Sequence, residues 1–318
     1  MLLCFSPFIT TGQRSLGYGD SALKAVLKEQ DSLKRLEGLF MYAQYLNDSS
    51  TNMSLAFVDS LIEVYREAGN PKFEARSLGM KSWLLYFQAR HREVVELGHK
   101  ALAMQESLND TFGMAQSYNR IGLSYMYFKR YGDARNYMKK SLDLFKGLGD
   151  TGSIDMMLNN LGVAYSETGA YDKALAFYRE SLKIRTHRQN FYLMAFSHYN
   201  MGESFMKLGE LDSVDKHYQQ SILLWQNKTP DGKVPALGSM GIGEYYEVSG
   251  RVDSAFMWYN WALEDATQMN YTKLILSIEK LISELYAKEG DWEKAYEHLD
   301  AYTILKSVTD SINNYEKV

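Results

Sequence analysis

Four glycines constrain this chain more than any other feature. Gly122, Gly162 and Gly202 stand 40 residues apart, and Gly243 follows after 41. Each brings the same company. Tyr125, Tyr165, Phe205 and Tyr246 come three residues later, and Ala134, Ala174, Val214 and Ala255 come twelve later. Ser283, with Tyr286 and Ala295, carries the set one period further, while Ser82, Leu85 and Val94 form a looser copy upstream. A period of this length means one supersecondary unit stacked many times, each copy burying a face that it cannot bury alone.

The unit reads as two helices. Leu158, Leu161, Gly162 and Tyr165 fall at i, i+3, i+4 and i+7; Gly169 then breaks the helix, and a second begins near Tyr171 with Ala174, Tyr178 and Ser181 inward. Gly162 and Ala174 are expected where the two helices come closest, with Tyr165 and Tyr178 filling wider gaps. Gly69-Asn70, Asn109-Asp110, Gly149-Asp150, Gln189-Asn190 and Met269-Asn270 punctuate the units, as residues that accept a left-handed backbone or cap the next helix. No proline lies between Pro71 and Pro230, as long helices require. The expected fold class is all-α: a right-handed α-solenoid of about seven helix-turn-helix repeats, one continuous superhelix rather than two domains.

Residues 1–13 (MLLCFSPFITTGQ) read as a signal-peptide-like segment, which implies export to the periplasm or cell envelope; without it the chain is cytoplasmic. Residues 14–52 form an N-terminal cap and first repeat, 53–305 the repeat array, and 306–318 a C-terminal exit helix or tail. The apolar start is too short to span a bilayer, so a membrane would be met only through a segment outside this chain. The net charge of −4, with no broad Lys/Arg stripe, excludes nucleic acid as a partner. A lone Cys4 excludes an internal disulfide and a cysteine-based metal site.

Catalytic and cofactor motifs are missing. Gly147, Gly149 and Gly152 spell G-x-G-x-x-G, but after a helix and in an inter-repeat turn rather than in the βαβ context that dinucleotides need. The six histidines show no metal-ligand spacing, so neither a cofactor nor a metal is expected. Arg185, His187 and Arg188 read as a solvated basic turn.

One polar set stands apart. Asn160 and Asn200 each precede the key glycine by two residues, and Asn119 precedes its own by three. On inner helices such amides either pair with the backbone of an extended peptide or bridge neighbouring helices. In the first case they form a ligand groove with Asn159, Val163, Tyr199, Glu203, Met206 and Glu244. Glu203 and Glu244 would bias that groove towards a basic or neutral protein or peptide partner. A homodimer is compatible with the sequence.

The run Leu-x2-Leu-Gly-x2-Tyr followed by Ala-x3-Tyr, within Asn159–Ile184 and its flank, resembles the tetratricopeptide repeat (TPR) in its long, bacterial form. More narrowly, the signal-like start and Lys306, Asp310, Ser311 and Ile312 of the tail resemble the exported sensory segment of Bacteroidetes TPR-containing histidine kinases and transcriptional regulators. That resemblance implies a non-enzymatic, partner-binding sensor. The competing readings are a stand-alone scaffold and an intracellular peptide-responsive regulator.

Overall fold

The structure, a computed structural model, describes residues 51–228 and 234–315 together with positions 28, 34, 35, 38, 39 and 41–43. The signal-like start and most of the stretch up to residue 50 lie outside the described residues. Helices α1 (Thr51–Glu67), α2 (Pro71–Phe87), α3 (His91–Ser107), α4 (Thr111–Tyr127), α5 (Tyr131–Leu148), α6 (Thr151–Ser166) and α7 (Tyr171–His187) follow one another. They continue as α8 (Phe191–Leu208), α9 (Leu211–Lys228), α10 (Ala236–Val248), α11 (Val252–Gln268), α12 (Thr272–Glu289) and α13 (Trp292–Tyr315). No strand occurs among the described residues, and no described helix is long and apolar enough to cross a membrane. The fold is all-α, made of TPR-like helix-turn-helix repeats.

The turns explain where helices stop. Between hairpins, Gly69, Asn109, Gly149, Gln189 and Asn270 take positive φ. The next residue then caps the following helix: Asn70, Asp110, Asp150 and Asn190 accept from the backbone N–H of Phe73, Gly113, Gly152 with Ser153, and Leu193. Gly147, Gly149 and Gly152 fall at the end of α5, its left-handed stop and the first turn of α6, an inter-repeat turn as the context indicated. Asn270 takes the left-handed turn but is followed by Tyr271, which makes no side-chain cap.

The described residues divide into two compact units, one running up to Ile184 and the other beginning at Arg185. In the first, Val58, Ile62, Leu84, Leu85, Val94 and Ala101 build one core cluster. Further along, the Tyr178 ring rests against Gly162, and Tyr125 and Tyr165 stack on Tyr137 and Phe177, both at 5.3 Å. In the second unit Tyr218 lies on Gly202 and Tyr259 on Gly243, where an added methyl would come 2.5 Å from the ring. Phe205 and Tyr286 stack on His217 and His298. The tyrosine sixteen residues after the glycine therefore fills no wide gap, contrary to expectation. It occupies the closest approach, and the glycine is there to admit the ring. The small positions behave as expected: Ala134, Ala174, Val214 and Ala255 have no exposed surface.

Arg185 corrects a second expectation. It is no part of a solvated turn but fully buried, and its Nη1 donates to Leu193 O at 2.8 Å and Ser197 Oγ at 2.9 Å. Those bonds tie the end of α7 to α8, and a charged group inside a protein persists only with such partners.

Candidate functional site

In the second unit a carboxylate recurs along the first helices of successive hairpins. Glu203, Glu244 and Glu284 each stand one residue after the key position of their repeat (Gly202, Gly243 and Ser283), on α8, α10 and α12. Tyrosines from the second helix of the first two of these hairpins reach the same side. Tyr218, flat on Gly202, donates its hydroxyl to Glu203 Oε1. Tyr259, flat on Gly243, donates to Glu247 Oε2 at 2.8 Å, and Lys288 Nζ pairs with the other oxygen of Glu247. Tyr199 stacks on Tyr218 at 5.7 Å, and Gly241 leaves room for its hydroxyl.

The electrostatics follow from crowding. Burial, then Glu203 and Glu244, hold the Tyr199 hydroxyl well above its ordinary range, and burial followed by Glu203 does the same at Tyr218. Both rings stay neutral donors. Glu244 is the exception among the acids. Burial, then repulsion from Glu203, push it up to about 7, with Lys207 opposing. Glu203 and Glu247 have hydrogen-bond donors and Glu284 has Lys280 at 3.5 Å. Glu244 is half-buried, and among the described residues no donor or cation lies within bonding distance of it. An unsatisfied, partly desolvated carboxylate is a receptor for an ammonium, a guanidinium or an N–H.

The residues singled out in the sequence separate into distinct environments. Tyr199, Glu203 and Glu244 come together in the second unit, with Met206 half-buried on α8 beyond Glu203. In the first unit Asn119 is half-buried on α4, while Val163 is nearly fully buried on α6. Asn159, Asn160 and Asn200 show no exposed surface at all. A solvent-facing placement of these three amides is therefore corrected: their sides of α6 and α8 are covered by packed neighbours. Tyr218, Glu247 and Lys288 were missed, although a tyrosine sixteen residues after the glycine repeats at 178, 218 and 259 and was visible in the spacing.

A further polar pair lies elsewhere in the second unit. His198 Nδ1 and His217 Nδ1 face each other at 2.9 Å, so one ring donates and the other accepts. Among the described residues no group of three or more metal-ligating side chains converges.

Residues 113–187 match the family model of the tetratricopeptide repeat. No curated protein matches the chain. Among solved structures, the apo form of RapI is similar at a TM-score of 0.67 and 12% identity, covering 87% of this chain and 99% of that one. Aspartyl phosphate phosphatase F from Bacillus subtilis is similar at 0.66 and 12%, over 86% and 70%. NprR in complex with its cognate peptide NprX is similar at 0.63 and 18%, over 93% and 86%. At these identities the likeness is one of fold.

Proposed function

We propose that this chain is a non-enzymatic binding module whose inner helices take up a protein or peptide segment, with Glu244 receiving a cationic group of that segment. The observation that carries the reading is Glu244 itself: half-buried, with no hydrogen-bond donor or cation in bonding distance among the described residues, beside Glu203, and flanked by tyrosines that present apolar faces. Helical repeats commonly bind extended segments on their inner surface, and half-buried acids there select for charge. The test is a library of blocked nonapeptides, randomised except for a central lysine, glutamate or norleucine, offered to the full chain and to Glu244→Gln. The expected result is enrichment of the lysine pool by the wild type and loss of that preference, about fivefold or more, in the variant. Equal retention of the three pools would count against it.

The finer reading is that this module is the sensory part of an envelope signalling regulator. It rests on the signal-like start and the tail, and a periplasm-active reporter fused after Arg35 tests it: activity with a cleaved product is expected, whereas a full-size inactive fusion would refute export. A second reading, an intracellular peptide-responsive regulator, is favoured by the likeness to NprR solved with a peptide. A stand-alone scaffold shares the binding chemistry.

A further inference from the structure

The tyrosines that follow the key position by three residues meet cations, and at Tyr125, Tyr246 and Tyr286 the cation brings its own acid. Arg130 lies 4.7 Å from the centre of the Tyr125 ring and pairs with Asp133 at 2.7 Å. Arg251 lies 4.4 Å from the Tyr246 ring and pairs with Asp215 at 3.4 Å. Lys294 lies 5.1 Å from the Tyr286 ring and pairs with Asp291 at 3.0 Å. Tyr165 differs. Arg135 and Lys139 of α5 stand 4.9 and 5.9 Å from its ring centre, and Lys173 of α7 stands 5.8 Å away. No carboxylate oxygen of a described residue lies within 4.0 Å of these cations.

The repeat register shows what has been exchanged. Lys173 holds the place that Asp133 takes one repeat earlier, and Arg135 the place that Asp215 takes before Tyr246. Glu167, the acid nearest Tyr165 in sequence, accepts from the Tyr131 hydroxyl at 3.1 Å. Like charges gathered round one ring repel each other, and the ring's quadrupole offsets only part of that. Arg135 is nevertheless held in place: its Nη1 donates to Ala164 O and Thr168 Oγ1 at the end of α6, both at 3.2 Å. Its Nε and Nη2 make no hydrogen bond among the described residues, so one edge of the guanidinium is free. Phe177 stacks on Tyr165 at 5.3 Å and steadies the ring. Lys139 and Lys173 are exposed and Arg135 is half-buried, so a ligand can reach all three.

We propose that Arg135, Lys139 and Lys173 bind the phosphate group of a phosphomonoester, either a small free one or one carried on a phosphorylated side chain. Such a group has about two negative charges and three acceptor oxygens. Two oxygens match the free edge of the guanidinium, and the third is left to the ammonium groups, which close in on flexible stems. The site lies in the first unit and uses none of the residues around Glu244, so neither proposal depends on the other.

The experiment uses the full chain and small probes at equal ionic strength: glycerol phosphate for a free ester, N-acetylphosphoserine N-methylamide for a side chain, its unphosphorylated counterpart, and acetate. Titration calorimetry and melting temperature give the readout. Saturable binding of one or both phosphate probes is expected, the stronger identifying the source, with no response to the other two. Affinity should rise from about pH 5 to pH 7, as the second phosphate proton leaves near pH 6. It should weaken about fivefold or more in Lys139→Ala. Binding should vanish in Lys173→Asp, which restores the acid of the preceding repeat. Without probe, Lys173→Asp should melt at the same temperature or higher, since it supplies a missing counter-charge. Undiminished binding in both variants, an equal response to acetate, no saturable response to either phosphate, or a fall of many degrees in Lys173→Asp would overturn the proposal.

Discussion

At the scale of single residues, Glu244 takes up a proton more readily folded than unfolded. Its carboxyl titrates near 7 in the folded chain against 4.5 for an ordinary glutamate. The sign follows from linkage. The folded state binds the extra proton between those values, so this group's contribution is fully present below pH 4.5 and is lost as pH rises through 7. The loss is at most about 3 kcal/mol, reduced by whatever solvent reaches the half-buried side chain. Urea denaturation from about pH 5 to pH 8 should show a smaller decline in Glu244→Gln than in wild type; parallel curves would mean the carboxyl is not desolvated. Gly202 offers a second residue-scale test, since a methyl there would press into the Tyr218 ring. Gly202→Ala should cost about 1–3 kcal/mol through overpacking, measured by the same denaturation, and a neutral substitution would contradict the packing described.

At the scale of elements, the helix boundaries were legible where their chemistry is local. Asp150 accepts from the N–H of both Gly152 and Ser153 at 3.1 Å, and a sequence shows such a cap directly. Asp150→Ala should therefore lower stability by about 1–2 kcal/mol in thermal or urea unfolding, while an unchanged midpoint would show the cap to be idle. Other stops were invisible. Ala89 and Lys129 take φ of 56° and 58° inside their hairpins, although neither favours the left-handed region. The packing of the two flanking helices imposes that geometry, and no local preference announces it. The same holds one helix later. Phe145, Arg185, Trp225 and Ala266 occupy the same repeat position, 23 residues after the glycine, and all are buried. A position that accepts an arginine and a tryptophan gives no rule by which Arg185 could be told from a surface residue.

At the scale of the whole molecule, the period of 40 residues made the fold class readable, because repetition multiplies a weak helical signal. The candidate site was readable only in part. Glu203, Glu244 and Tyr199 do assemble, since the two glutamates hold equivalent positions on the first helices of successive hairpins and Tyr199 lies one turn before Glu203. Asn160 and Asn200 share a repeat position too, yet both are covered, because exposure depends on the size of neighbours that spacing does not specify. That Glu244, without a bonding partner among the described residues, binds cationic segments is the central claim. It is tested most directly by the affinity of the best lysine-containing nonapeptide between about pH 5.5 and pH 8.5, for the wild type and Glu244→Gln. The account predicts affinity that rises with pH around a midpoint near 7 in the wild type and stays flat in the variant. The same pH profile in both proteins would contradict it.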